Sequence, residues 1–198
     1  MSKNEKSDEK IEVSPPRKFY FKLKGIAPII SNKPCPEDVK KGKTLDSQPK
    51  TQQARDRAYW HSNGNLGVPQ TWLKGSMVEA FIRQKTDSGP ESQSAKNEKQ
   101  RVCPNIRFEP LMFDLKTKDY TINESTVLVK QSGTVKTMVN CVRPLIENWE
   151  FEGTLVTTLP ETAEELRKNL EYAGYYVGIG SNKINGFGRF EVVEFRQV

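Results

Sequence analysis

The chain has 198 residues, of which 35% are hydrophobic and 28% are charged, and its formal net charge is +6. A mean hydropathy of −0.70 predicts one domain with a modest core and long polar segments, and no apolar run reaches the length of a membrane-spanning helix. The basic balance indicates an anionic partner, with nucleic acid considered before a membrane surface.

The N-terminal half carries the positive charge. Residues 1–16 are polar, mixed in charge and end in two prolines, which predicts a disordered tail before a single domain over 17–198. Apolar residues alternate with basic ones over 17–25, so we predict a half-buried strand whose open face carries Lys22 and Lys24. Residues 17–85 hold fourteen lysines and arginines against five acidic residues, a net charge of +9.

A long polar loop is predicted over 31–58, because the segment is rich in proline and lysine and lacks hydrophobic periodicity. At its end, Arg55 and Arg57 alternate with aromatic residues, including Trp60. This pattern can hold phosphates and stack on bases, although Trp60 fits a core position equally well. His61 follows immediately, before a turn signal.

The next predicted element is a helix that runs from about Thr71, a plausible N-cap, to about Lys85. Lys74 and Gly75 are predicted to lie in its first turn, where backbone N–H groups and a lysine favour a phosphate. An ordinary exposed helix lysine explains the pattern as well. Residues 86–101 contain no apolar side chain larger than alanine, which predicts a second exposed loop.

The second half is predicted to contain a hairpin between further strands and a helix. The strands are expected over 106–113 and 148–157 and the helix over 160–174. The hairpin, over 126–143, carries Lys130 and Lys136 near its tip and Arg143 at its end. A simple edge hairpin is the plain alternative.

Cysteine and histidine usage argues against disulfides and metal sites. Cys35, Cys103 and Cys141 are odd in number and far apart, which favours a reducing compartment. A single histidine cannot build a His-rich metal site, and the N-terminus lacks the apolar region of a secretory signal. We therefore expect a cytoplasmic protein without membrane association.

The predicted elements, with loops left out, follow one another as β–α–β–hairpin–β–α–β. This order is typical of an α+β protein with a ferredoxin-like, RRM-like βαββαβ fold, here with long loop insertions. An antiparallel sheet with both helices on one face leaves the other face open, and RNA-recognition domains bind RNA on that face. The architecture alone does not specify a function.

A glycine-rich loop over 178–188 lies between the second predicted helix and the last strand. Glycine permits positive φ and close backbone approach, so the loop can form an anion-binding nest; a long turn is the plain alternative. Lys183 stands where a dinucleotide motif needs its third glycine, and no Walker sequence is present, so we expect no cofactor. We expect the loop to pack beside the start of the first helix, near Lys74, and to shape a nucleic-acid path with Ser181 and Asn182.

Three segments of the chain resemble the RAMP superfamily, the repeat-associated proteins of CRISPR systems. The sequence GIGSNKINGFGRF over 178–190 is similar to the glycine-rich C-terminal signature of that family. The sequence VPQTWLKG over 68–75 is similar to the IPGSSLKG entrance to its first helix, with QTW in place of GSS. The sequence KLKGIAPII over 22–30 is similar to its opening strand.

The resemblance implies a modified ferredoxin-like fold and backbone-directed binding of single-stranded RNA. It also implies assembly as a homo-oligomer or with other CRISPR-type subunits, and that the hairpin over 126–143 is the thumb of a backbone subunit. The residues expected to bind nucleic acid, from residue chemistry and resemblance together, are Lys22, Lys24, Arg55, Arg57, Trp60, Lys74, Gly75, Lys130, Lys136, Arg143, Gly178, Gly180, Ser181, Asn182, Lys183 and Gly186.

Our leading hypothesis is a non-catalytic RAMP protein that binds single-stranded RNA, with single-stranded DNA open as the ligand. The first alternative is a metal-independent endoribonuclease, with His61 as general base or with Asp46 or Asp56 resembling the aspartate of RNA-cleaving backbone subunits. The second alternative is a solitary interaction protein from a mobile element, a mimic of a CRISPR subunit.

Overall fold

The computed structural model describes residues 15–34, 48–85, 92–130 and 136–198, and within these ranges the side chains of all residues outside 127–139. The helices are α1 (Lys50–Asp56), α2 (Gln70–Lys85), α3 (Gln93–Val102) and α4 (Ala163–Tyr172). The strands are β1 (Arg17–Gly25), β2 (Ile29–Ile30), β3 (Gly67–Pro69), β4 (Ile106–Glu109), β5 (Met112–Asp114), β6 (Thr121–Lys130), β7 (Lys136–Ile146), β8 (Glu150–Thr157) and β9 (Phe190–Gln197).

The main sheet has four antiparallel strands in the order β4-β8-β1-β9. Strand β1 lies in its interior, and the predicted alternation buries Phe19, Phe21 and Leu23 on one face. Together with α2 and α4, the strands of this sheet follow one another along the chain as β–α–β–β–α–β, with insertions between them. The predicted α+β class is confirmed.

Helices α2 and α4 pack with the buried face of the sheet in one hydrophobic cluster. Helix α4 begins with a capping box: the Thr162 hydroxyl accepts a hydrogen bond from the Glu165 N–H, and the Glu165 carboxylate accepts one from the Thr162 N–H. A π-helical turn, Ala173–Val177, continues α4 and ends at Gly178, whose φ is +78°. This turn delivers the chain to the glycine-rich loop.

A second sheet, in the order β2-β7-β6, contains the predicted hairpin. Its strands pair from Thr121 and Leu145 at the base to Lys130 and Lys136 at the far end, so the hairpin is longer than the predicted 126–143. Strand β2 pairs with the base of β7, and α1 packs against β7. The hairpin is thereby anchored next to the segment that leaves β1.

Two segments predicted as loops contain helices, and both predictions are wrong for these residues. Helix α1 lies within the predicted loop over 31–58, and α3 occupies most of the predicted loop over 86–101. Helix α3 forms because the Ser92 hydroxyl caps the Ala95 N–H at 3.1 Å. Its buried residues are Ala95 and Val102, so no apolar stripe reveals it.

Three further predictions can be compared with the structure. The predicted strand over 106–113 is divided by a turn at Pro110 into β4 and β5. The predicted tail over 1–16 lies outside the described residues except for its two prolines. Within the described ranges, none of the helices has both the length and the apolar character needed to cross a bilayer.

Candidate nucleic-acid interface

The glycine-rich loop lies directly against β2 and the start of α2. The Ser181 N–H donates a hydrogen bond of 2.9 Å to the carbonyl oxygen of Ile30. Gly180 has a φ of +82°, and a Cβ built on it would lie 2.9 Å from the same carbonyl oxygen and 3.5 Å from the ring of Trp72. The predicted position of the loop beside the first helix is therefore confirmed.

The tip of the loop is a structured turn. Asn182 and Gly186 both adopt left-handed conformations, with φ of +61° and +87°, and the Asn185 amide donates to Asn182 Oδ1 at 2.7 Å. The Lys183 ammonium forms an ion pair of 3.2 Å with Glu79 of α2. Because Trp72 and Glu79 lie on the same helix, the loop runs along α2 for about two turns.

The start of α2 lies two residues, or about half a turn, before the predicted one. The helix begins at Gln70, whose N–H donates to the Leu111 carbonyl at 2.9 Å, because β3 runs directly into it. Lys74 is therefore in the second turn, where its N–H is bonded within the helix, and the predicted first-turn role for Lys74 and Gly75 is wrong. Lys74 is half-buried and Gly75 is exposed.

Replacing Gly75 with alanine should raise the free energy of unfolding by roughly 1 kcal/mol, because glycine is unfavourable inside a helix. A Cβ at this position meets no atom within 4 Å, so no clash opposes the gain. Thermal melting should show an increase of about 2–4 °C. If Gly75→Ala instead lowers the melting temperature, this face of α2 is covered in solution.

The basic and aromatic residues after α1 form a compact group. The Arg55 guanidinium lies 5.8 Å from the centre of the Trp60 ring, and the Trp60 indole N–H donates to the Arg55 carbonyl at 3.1 Å. Trp60 also packs on the core cluster, which supports the core reading of this residue, and its contact with nucleic acid stays a prediction. Arg57 is oriented towards Asn32, whose side-chain oxygen accepts from Arg57 Nη1 at 3.0 Å.

The basic residues of the hairpin are spread along its length. Lys130 and Lys136 face each other in the backbone register at the far end, and their side chains lie outside those that the structure describes. Arg143 lies towards the base, in the part of β7 that approaches β2. The structure therefore brings Arg143, and not the two lysines, close to the glycine-rich loop.

The open face of the main sheet carries Lys22 and Lys24 among glutamates. In the strand register, Lys22 lies between Glu152 of β8 and Glu194 of β9. Lys24 lies likewise between Glu150 and Glu191. Cross-strand neighbours share a face of the sheet, so the positive charge of each lysine is compensated on both sides.

Hydrogen bonds and ion pairs reinforce this compensation. The Lys22 ammonium is 3.3 Å from Glu150, and Tyr20 donates to Glu152 at 2.7 Å. That hydrogen bond, with burial as a second cause, raises the pKa of Tyr20 to about 12. The same hydrogen bond, with the charge of Lys116 as a second cause, lowers the pKa of Glu152.

His61 closes a turn that Asp114 holds in place. The His61 N–H donates to the Asn65 carbonyl at 2.8 Å. Asp114 accepts from Asn63 Nδ2 at 2.6 Å, from Asn65 Nδ2 at 3.0 Å and from the Lys116 N–H at 2.7 Å. Although partial burial acts in the opposite direction, these hydrogen bonds lower the pKa of Asp114.

Among the described residues, no carboxylate forms a hydrogen bond with the imidazole of His61, whose Nδ1 lies 3.4 Å from the Asn63 N–H. A catalytic role of His61 stays a prediction. Asp56 accepts a hydrogen bond from Gln52 on α1 at 2.7 Å, and Asp46 is outside the described ranges. In the part of the chain that the structure covers, no group of three metal-ligating side chains is present.

The sequence analysis did not identify one segment of this candidate interface, Ser31–Lys33. It directly follows β2, and it contacts both Arg57 and the base of β7. Arg189 was also missed: its Nη2 donates to the Lys183 carbonyl at 3.3 Å. One sequence signal could have indicated this segment: a run of polar residues directly after two consecutive isoleucines.

These features define the class to which the fold belongs: an antiparallel α+β domain with a hairpin insertion and a glycine-rich loop before the last strand. No family model matches the sequence, and no curated protein resembles it significantly. Solved structures that share this fold include RAMP-family subunits of type III-B CRISPR complexes, which bears out the predicted mixed α+β fold, while its ferredoxin-like details stay a prediction.

Two of these structures show how far the likeness extends. One is the type III-B Cmr-beta complex bound to cognate target RNA, with a TM-score of 0.56 and 10% identity over 93% of this chain and 61% of the matched chain. The other is Cmr6 from Pyrococcus furiosus, with a TM-score of 0.50 and 10% identity over 90% of this chain and 99% of that one. The chain thus matches nearly all of Cmr6 but less than two thirds of the Cmr-beta chain.

Proposed function

We propose that this protein is a RAMP subunit that binds single-stranded RNA across a loop-side surface. We define this surface as the glycine-rich loop, the first two turns of α2, Ser31–Lys33, and the adjoining Arg55, Arg57, Arg143 and Arg189. The RNA is held chiefly through its phosphates, with little base specificity. The open face of the main sheet is not the binding face.

The distribution of uncompensated charge carries this proposal. On the loop-side surface, the cations with no carboxylate partner among the described residues are Lys33, Arg55, Arg57, Lys74, Arg143 and Arg189. The lysines in the middle of the open sheet face are instead interleaved with glutamates. A phosphate chain gains most where the positive charge is not already neutralised.

The comparisons of fold support the proposal that the protein assembles into a larger complex with RNA. The Cmr-beta structure contains cognate target RNA, and the present chain has the same fold. We infer that it works within a CRISPR-type ribonucleoprotein, beside other subunits or copies of itself. Size-exclusion chromatography with and without a long oligouridylate tests this: a discrete larger complex is expected with RNA, and a monomer at every RNA length contradicts assembly.

Neutralising Arg55 and Lys74 together, with glutamine at both positions, should weaken RNA binding roughly tenfold near 0.1 M salt. The two substitutions remove about two phosphate contacts, so the slope of log K against log salt should fall by about 1.4. Fluorescence polarisation of a labelled oligouridylate over a salt series measures both quantities.

The matched control is Lys18→Gln with Lys24→Gln on the open sheet face, which changes the net charge by the same amount. Both lysines are exposed on β1, and we expect less than a twofold change in affinity. Equal weakening by both pairs would mean that only overall charge matters, and greater weakening by the sheet-face pair would move the RNA to the sheet.

A further inference from the structure

The segment Ser31–Lys33 is held to Arg57 by three hydrogen bonds. The Arg57 carbonyl accepts from the Ser31 hydroxyl at 3.0 Å and from the Lys33 N–H at 2.9 Å. The Arg57 guanidinium in turn donates through Nη1 to Asn32 Oδ1 at 3.0 Å. Backbone and side chain of Arg57 are therefore both fixed on this short segment.

Arg143 approaches the same segment from the opposite strand. Strand β2 pairs Ile30 with Leu145, and the Ser31 N–H donates to the Pro144 carbonyl at 3.1 Å. Neighbouring strands lie about 4.8 Å apart, so the backbone of Arg143 lies next to Asn32. Two arginines therefore lie beside one stretch of three residues, Arg57 through direct hydrogen bonds and Arg143 through the bond of its neighbour Pro144.

Both arginines have a buried Nε–H group, and among the described residues neither group has a hydrogen-bond acceptor. An unpaired buried donor costs about 1–3 kcal/mol, and such groups are rare enough in native proteins to need an explanation, for which an absent ion is one recognised cause. In Arg57, Asn32 occupies Nη1. The remaining Nε and Nη2 form the edge of the guanidinium that binds two oxygens of a phosphate at once.

We propose that Arg57 and Arg143, together with Asn32, form a binding site for one phosphate group of the nucleic acid. The nature of the ligand rests on the proposed function, whereas the affinity of the site for phosphate does not. The phosphate can be an internal phosphodiester or a terminal phosphomonoester, because both present oxygens to a guanidinium edge. A bound phosphate supplies the acceptor that each Nε–H lacks.

The experiment compares the full-length protein with Arg57→Gln, Arg143→Met and the control Arg167→Gln. Arg167 is an exposed residue of α4 that pairs with Glu171 at 2.9 Å, away from this segment in the fold. The first readout is thermal melting in inorganic phosphate against chloride at equal ionic strength. The second is the affinity for oligouridylates of one length that end in hydroxyls, in a 5′-phosphate or in a 3′-phosphate.

We expect phosphate to raise the melting temperature of the wild type and of the control, and not of the two site variants. Each site variant should bind RNA roughly tenfold more weakly, the effect of losing one charge-assisted contact. Without ligand, Arg143→Met should melt at the same temperature as the wild type or higher, because it removes an unpaired buried N–H. A lower melting temperature would assign Arg143 a structural role and overturn the proposal.

The remaining outcomes distinguish failure of the phosphate site from failure of the proposed RNA-binding function. Wild-type RNA binding that the site variants leave unchanged would overturn the site and leave the proposed function standing. Stabilisation by phosphate that depends on both arginines, without RNA binding, would support the site and reject the function. A phosphate-terminated RNA that binds at least tenfold tighter identifies a terminal phosphate, and equal affinities identify an internal one.

Discussion

Glu161→Ala is expected to lower the free energy of unfolding by about 3 kcal/mol, as when one partner of a buried ion pair is removed. The Glu161 side chain is only 8% exposed. Its Oε1 accepts from Arg101 Nη2 at 2.6 Å and from Lys85 Nζ at 3.0 Å. Urea denaturation monitored by tryptophan fluorescence measures the change.

The large loss of stability is expected because Glu161 links three helices and β1. Lys85 is the last residue of α2, Arg101 belongs to α3, and Glu161 directly precedes the cap of α4. Its backbone carbonyl accepts from Arg17 Nη2 of β1 at 2.7 Å. Because α3 buries few apolar residues, this ionic contact is a main attachment of α3 to the domain, and its loss leaves Arg101 paired with Glu98 alone.

Acid should weaken the same contact. Although burial acts in the opposite direction, the hydrogen bonds from Arg101 and Lys85 lower the pKa of Glu161 below its ordinary value of 4.5. A carboxylate with a lowered folded-state pKa contributes its stability above the unfolded-state pKa and loses it as the pH falls through the folded-state value. The difference between wild type and Glu161→Ala should therefore be full at neutral pH and shrink below about pH 4.

Glu164→Ala is the matched control for Glu161→Ala. Glu164 lies three residues further along, is 76% exposed and pairs with Lys168 one turn away on α4. Exposed pairs of this type contribute little to stability because solvent screens them, so the control should be nearly neutral. Equal destabilisation by both variants would show that helix-start charge, and not the buried contact, sets the stability.

A helix, strand or loop could be predicted where its own residues carry a hydrophobic or glycine pattern. The alternation in β1 and the helical spacing in α2 follow from local burial, and the glycines of the loop follow from a backbone that needs positive φ. Helix α3 has no such pattern, because a serine cap and long-range ion pairs to Glu161 hold it in place. Its existence depends on residues 60 positions away, which no local window contains.

The binding surface was predictable only in part, for the same physical reason. Lys22 and Lys24 look like a basic strand face until the register places a glutamate on each side of them. Arg57 and Arg143 are 86 positions apart in sequence, and only the pairing of β2 with β7 brings both to Asn32. Strand register decides which cations lack a carboxylate neighbour, and composition cannot predict it.

Gly188→Ala is expected to destabilise the protein by roughly 2–5 kcal/mol, because strain and overpacking act at the same atom. Gly188 has a φ of +70°, and a Cβ there would lie 1.8 Å from the carbonyl oxygen of Ile179. Ile179 is fully buried, and its N–H donates to the Gly188 carbonyl at 2.9 Å. The new methyl group therefore cannot be accommodated without moving the backbone of the loop.

Gly186→Ala separates the two contributions, since Gly186 has a φ of +87° but meets no atom within 4 Å of a built Cβ. It should cost only the left-handed strain of about 1–2 kcal/mol, so the difference between the two variants measures the close approach to Ile179. Gly188→Ala should also weaken RNA binding at temperatures where it remains folded, because a shifted backbone moves Ser181 away from β2. Equal stabilities of the two variants would mean that the loop yields easily, and it could not then hold a fixed path for RNA.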